Sequence, residues 1–244
     1  MKIKFNENSD VIFTSYFTSK SNPQANNFAP SNNISYIYTW YSSVITLGLN
    51  GVIIHDGLSS EFINKYSREN IEFYYYNPIK YSLNDERYFA LQEIFETNKF
   101  NKVLLTDGSD LIIKRNPFDF FTDQNLLYFG TDMDATPSIK DNVWCLNKLN
   151  NLLSIKPNLV QIDNDFLEFS YINAGVYGGT YNLVKEFNSL LVNFLLELNS
   201  TSNNNMMAIN YLLWKAKLDF FKGPPLTSPF KKYELHGDYI IIHK

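Results

Sequence analysis

Cysteine is almost missing from this chain. Cys145 stands alone among 244 residues, which excludes an intramolecular disulfide and a cysteine-rich zinc site and leaves it as a small buried hydrophobe. Long apolar runs are also missing: nothing approaches the roughly 18 residues that mark a membrane-spanning helix. The opening Met1 to Asn8 carries lysines with no apolar segment behind them, so no signal peptide is visible. The expectation is a cytoplasmic protein with no membrane span. There is no excess of positive charge. Lys and Arg number 21 against 25 Asp and Glu, a net charge of -4, whereas a nucleic-acid-binding domain usually carries a basic face. No nucleic-acid partner is expected. Charged residues reach only 19% beside 45% hydrophobic ones, a balance that excludes a disordered chain. No repeat and no linker interrupts the sequence, so a single domain is expected. The chain stops at His243-Lys244, straight after an apolar run, which leaves further domains of a longer protein open.

What the chain does have is aromatic side chains, 20 Phe and 17 Tyr. These rings support a large core and leave tyrosines for a stacking cleft. Apolar runs of strand length occur at Asp10–Phe17, Gly51–Asp56, Ile71–Tyr76 and Lys102–Thr106. Between them lie a polar loop from Thr18 to Asn27 and three helical stretches. One runs over Ile34–Leu49, closed by Gly48 or Gly51; one over Ser59–Tyr66; one from a capping Asn84 to Phe95. Strand and helix alternate about every 25 residues, the rhythm of an α/β fold with a mostly parallel central sheet flanked by helices. Such sheets bind ligands beyond the carboxyl ends of their strands, where Ser15, Asp56 and Asp107 fall. The second half adds strands at Leu126–Gly130, Tyr171–Gly179 and Tyr239–His243, and helices at Val143–Leu153, Leu183–Leu198 and Asn204–Ala216.

The sharpest feature is Lys102-Val-Leu-Leu-Thr-Asp107-Gly108-Ser109-Asp110-Leu-Ile-Ile-Lys-Arg-Asn-Pro-Phe118. Two carboxylates flank a tight turn between apolar runs, which would hold both acids at the sheet edge. Neighbouring carboxylates there repel unless a cation lies between them. Oxygen ligands favour Mg²⁺ or Mn²⁺, whose open positions substrate phosphates commonly fill. The plainer alternative is an Asp-Gly turn in which Asp110 caps the next element.

The segment Lys102–Phe118 resembles the DxD-type segment of GT-A glycosyltransferases, which use nucleotide-sugar donors. That pattern is a hydrophobic strand, an Asp, one or two residues, a second Asp, an apolar run and Asn-Pro-Phe. Here the spacing is DxxD, where many members have DxD. Ile172–Gly179 is similar to their NAG segment, and Ile240–His243 to a late strand ending in a metal-binding His. Asn204–Asn210 resembles a region where many members carry an acidic pair-member before a helix; Asn205 stands at that position here. The resemblance spans Val11 to His243. It implies a GT-A-like, Rossmann-like single domain, with a nucleotide-sugar-binding half over about 1–115 and an acceptor-binding half over about 116–244. It implies Mn²⁺ or Mg²⁺ held by Asp107, Asp110 and His243. Asp110 is the firmer ligand, and Asp107 reaches the donor ribose or sugar directly or through the metal. The activity implied is transfer of a sugar from a nucleotide-diphosphate donor, UDP-sugar favoured, to a hydroxyl of a glycan or other acceptor.

The candidate residues follow. For catalysis they are Asp110, Asn173 and Asp132, the last as a general base for the acceptor hydroxyl; Asp134 shares that position, and Asp163 and Asp165 are weaker rivals. For donor binding they are Thr14, Ser15, Tyr16, Gln24, Arg87, Asp107, Gly108, Ala174 and Gly175. Tyr16 is read either as stacking on a base or as a core tyrosine, the commoner use of such a residue, and Arg87 as neutralising a diphosphate or holding Asp107. His236 rivals His243, and His55 reads as a packed residue. Three other functions stay open. A catalytically silent nucleotide-sugar or glycan-binding module is favoured by Asn205. A sugar nucleotidyltransferase would show a Gly-rich, Arg-containing signature, which Thr14–Gln24 lacks. A phosphohydrolase would normally need more clustered acids or histidines.

Overall fold

The computed structural model describes residues 2–22, 27–132, 138–158, 162–230 and 234–243. Its strands are β1 (Val11–Tyr16), β2 (Ser21–Asn22), β3 (Asn27–Phe28), β4 (Asn50–His55), β5 (Ile71–Tyr75), β6 (Lys102–Thr106), β7 (Leu111–Ile113), β8 (Leu127–Gly130), β9 (Asn173–Thr180), β10 (Phe220–Lys222) and β11 (Ile241–His243). Its helices are α1 (Tyr38–Thr46), α2 (Ser60–Tyr66), α3 (Leu83–Thr97), α4 (Val143–Ile155), α5 (Asn164–Leu167), α6 (Tyr181–Leu198) and α7 (Asn205–Ala216).

Seven strands form the central sheet in the order β10-β8-β9-β6-β1-β4-β5. The pairs β1–β4, β4–β5, β1–β6 and β8–β10 are parallel, while β9 runs antiparallel to both β6 and β8. The expectation of a mostly parallel sheet flanked by helices therefore holds, with β9 as the one reversed strand. Both faces are covered, which is why the strands read as continuous apolar runs. Alternate residues serve opposite layers: Val11, Phe13, Val103 and Leu105 pack with α3, α4, α6 and α7. Ile12, Tyr16, Leu104 and Val176 pack on the other side with α1, α2, β7 and β11.

Three local readings change. The helix expected over Ile34–Leu49 is a 3₁₀ turn at Ile34–Tyr36 followed by α1, which stops before Gly48 at φ 64°. The cap of α3 is Ser82, whose hydroxyl accepts from the Asp85 N–H, and Asn84 is already inside the helix. The run after the acidic turn is β7, which pairs antiparallel with β11 in a separate two-stranded ribbon. Among the described residues no helix is long and apolar enough to cross a membrane.

One buried polar contact joins α1 to the strand that carries the acidic turn: the Trp40 indole N–H donates to Thr106 Oγ1 at 2.9 Å. Thr106→Val keeps the shape but leaves that donor unpaired, and should cost about 1–3 kcal/mol. Urea denaturation checks this; an unchanged midpoint contradicts it.

Candidate functional site

Three distant segments converge at the carboxyl edge of β6. Asp107 follows β6 directly, and its N–H donates to the Gly175 carbonyl at 2.8 Å. The reversal of β9 makes this possible, because it sets the beginning of that strand beside the end of β6. Asp110 precedes β7. Across the ribbon, His243 pairs in register with Leu111, the residue after Asp110. Candidate ligand atoms of Asp107, Asp110 and His243 all lie within 4.8 Å of one another. His243 Nε2 is 3.5 Å from Asp107 Oδ2 and 4.0 Å from Asp110 Oδ2.

His243 is fully buried and firmly placed. Its N–H donates to Ser228 Oγ at 2.9 Å, and its ring lies 4.4 Å, centroid to centroid, from that of Phe230. Yet neither ring nitrogen has a hydrogen-bond partner among the described residues, nor does the buried Asp110 Oδ1. Buried polar atoms without partners are costly and rare. A divalent cation would satisfy all three residues, and one nitrogen with carboxylate oxygens suits Mn²⁺ or Mg²⁺. The space is kept open by Gly175: a Cβ there would come within 2.5 Å of Asp107 Oδ2 and 2.9 Å of His243 Nε2. The residues present fit such an ion.

Charge at the site is unevenly balanced. Arg87, buried on α3, pairs through Nη1 with Asp107 Oδ1 and donates through Nη2 to the Ala174 carbonyl at 2.9 Å. Burial alone would raise the Asp107 carboxyl, but Arg87, with His243, overcomes it and holds the group down to about 2. Asp110 has no such partner. Burial and the Asp107 charge push it up to about 6. Tyr36 closes one side through a side-chain hydrogen bond with Ser109, and burial raises its phenol, with the Asp110 and Asp107 charges adding to the effect.

A cavity of about 120 Å³ opens over the cluster, lined by Ser15, Tyr36, Asn84, Arg87, Asp107 to Asp110, Asn173 to Gly175, Asn205, Met206 and Phe230. A smaller hollow of about 50 Å³, between Phe17, Ala29 and Leu83, shares Ser15, Tyr36 and Asn84 with it. Open hollows of about 530 and 620 Å³ lie near the N-terminal segment and at Thr180–Leu183. Neither contains the acid–histidine cluster.

Ser15, Arg87, Asp107, Gly108, Asp110, Asn173, Ala174 and Gly175 are thus brought together, with His243 directly beneath. Tyr16, Thr14, Asp132 and Asp56 are placed otherwise than expected. Tyr16 does not face the cavity: strand alternation turns it to the opposite layer, where it is fully buried against Tyr36 and Phe62 and its hydroxyl donates to Pro30 and Asn33 carbonyls. Thr14 is also buried; it lies under Gly108, where a Cβ would come within 2.6 Å of its hydroxyl, so it supports the turn from below. Asp132 is outside the lining, its Oδ2 accepting from the Tyr171 hydroxyl at 2.6 Å. Gln24 and Asp134 lie outside the described residues. Asp56 binds the Thr18 and Ser19 N–H groups and so holds the loop after β1. The sequence reading missed Tyr36, Ser109, Asn84, Met206 and Phe230. Ser109, inside the acidic turn, and Met206, inside the Asn204–Asn210 segment, had a local signal.

No family model matches the chain, and no curated protein sequence matches it. Solved structures do. One is a galactosyltransferase, LgtC, crystallised with donor and acceptor sugar analogs: identity is 15%, the match covers 96% of this chain and 86% of that one, and the TM-score is 0.55. The likeness shows the fold, and the chain has the GT-A-like α/β architecture that its motifs implied.

Two carboxylates close together destabilise the ion-free site. In EDTA, Asp110→Asn should therefore melt about 2–4 °C above the wild type. Added Mn²⁺ should raise the wild-type Tm and leave the variant's unmoved, because only the former retains the ligand. Thermal denaturation with and without Mn²⁺ checks both signs; a variant stabilised as strongly as the wild type contradicts the ligand assignment.

Proposed function

We propose that this protein is a metal-dependent glycosyltransferase that moves a sugar from a nucleotide-diphosphate donor, with UDP-sugars favoured, to a hydroxyl of a glycan or other acceptor. The observation that carries the reading is the convergence of Asp107, Asp110 and His243 at the carboxyl edge of the parallel strands, where the buried Asp110 Oδ1 and both His243 ring nitrogens have no hydrogen-bond partner among the described residues. In this reading the three residues hold Mn²⁺ or Mg²⁺, which supplies Lewis-acid stabilisation of the negative charge developing on the departing diphosphate.

The protein's own groups do the rest. Arg87 fixes Asp107 in its ionised form and ties it to the Ala174 carbonyl. Asn173 accepts the Gly175 N–H at 2.7 Å, which orients the small-residue segment so that a sugar can approach the backbone. Gly108 lets the turn settle on Thr14. Ser15 and Tyr36 mark the nucleotide side, and residues up to about 115 supply most of that half. The part of the chain beyond it provides the acceptor side.

A second reading, a module that binds a nucleotide sugar without turnover, draws on Asn205, an amide at the cavity wall where an acid would assist catalysis. Binding and turnover separate the two. In a thermal-shift panel of UDP-, GDP- and dTDP-sugars, a donor should raise Tm only when Mn²⁺ is present. Hydrolysis or transfer of that donor should then fall at least about 100-fold in Asp110→Asn and His243→Ala. Metal-dependent binding without any turnover would favour the silent module; no metal-dependent binding contradicts both.

A further inference from the structure

The donor reading places the glycosyl group against Asn173, Asn205 and Met206, lining residues that the hollow shared by Ser15 and Tyr36 does not include. That wall carries no carboxylate. Behind it stands Asp85, in the first turn of α3, which faces the backbone of Asn204 and Asn205. Asp85 is fully buried. Its Oδ1 accepts from the Asn205 N–H at 2.8 Å, and both its oxygens approach the Asn204 N–H, at 3.3 and 3.2 Å. Burial pushes this carboxyl up to about 6 in spite of those bonds.

The opening of α7 lacks a local cap. Asn204 stands at the N-cap position, but its side chain makes no capping bond and donates instead to the Ser202 carbonyl at 2.6 Å. The first N–H groups of a helix need acceptors, and a negative charge there is favourable. Asp85 meets both needs from a helix about 120 residues earlier in the chain, a separation of 119 to Asn204 and 120 to Asn205. A second tie runs beside it: Asn205 Nδ2 donates to the Asn84 carbonyl at 2.7 Å.

These bonds decide what the wall presents. One N–H of the Asn205 amide is engaged with Asn84, which fixes the amide and leaves Oδ1 and the second N–H for a ligand. In Asn173 the oxygen is engaged with Gly175, which leaves Nδ2 to donate, with no partner among the described residues. Acceptor and donor groups held on two fixed amides of one cavity suit the hydroxyls of a sugar ring.

We infer that Asp85 is a positioning residue for the sugar: by capping α7 from α3 it sets Asn205 and Met206 at the glycosyl wall of the cavity. This rests on the donor reading above. The probe pair is UDP and a UDP-hexose, which differ only in the sugar, each titrated calorimetrically with saturating Mn²⁺. Asp85→Asn and Asn205→Ala should each weaken UDP-hexose about tenfold while changing UDP less than about twofold. A general loss of structure would weaken both ligands alike, so equal losses, or none, overturn the positioning role. Amide hydrogen exchange tests the cap without any ligand: the Asn204 and Asn205 amides should be protected in the wild type. Rapid exchange at both overturns the inference even if Asp85→Asn does not fold. A wild-type protein with protected amides that binds neither ligand overturns the donor reading, and the sugar-positioning role with it.

Discussion

Two carboxylates and an imidazole are crowded into one corner of the sheet edge, and the fold supplies a cation for only one of them. Arg87 balances Asp107. Asp110 has no comparable partner, and its buried Oδ1 and the imidazole nitrogens are left without hydrogen bonds among the described residues. Unpaired buried polar atoms normally destabilise a protein. Asn188, Asn203 and Thr227 each carry one such atom as well, but Asp110 and His243 bring three of them together beside Asp107, while the buried acids Asp85 and Glu86 are well bonded; this clustering supports the divalent ion of the proposed function.

The architecture around the corner follows from that constraint. A parallel sheet brings the ends of β1 and β6 to one edge, and the reversed β9 brings its own beginning to the same edge. The ribbon of β7 and β11 then delivers His243 from the far end of the sequence to the residue beside Asp110. Gly175 keeps the space between Asp107 and His243 open. Each device is local, but none positions a ligand alone; the site exists only when strands from both halves of the chain are paired.

Much of this is legible in the amino-acid sequence. The strands β1, β4 and β6 are buried on both faces and β5 over most of its length, so their apolar runs stood out against the polar turns. The acidic turn stood out because two Asp residues sit between two such runs, and the late Ile-Ile-Ile-His run marked a strand ending in a ligand type. Other elements had no comparable signal. β7 and β10 are three residues each, and β10 is only half-buried, so no periodicity could develop. An apolar pattern carries no direction, which hid the reversal of β9. Tyr16 and Ser15 differ by one position and hence by face; residue type favoured the tyrosine, while strand alternation put the serine in the cavity. Asp85 acts on backbone groups about 120 residues away, an interaction that no local spacing encodes. Asp132 followed a strand end as expected, but its neighbour Tyr171 draws it into a hydrogen bond outside the cavity lining.

The central claim is that a divalent ion is held by the acidic turn together with the last strand. Pulsed electron paramagnetic resonance of Mn²⁺ bound to the protein tests it directly, because the spin couples to a ligating imidazole nitrogen. The account predicts one ion per chain with a histidine nitrogen coupling that disappears in His243→Ala. Bound Mn²⁺ without that coupling, or a coupling that survives the loss of His243, would contradict it.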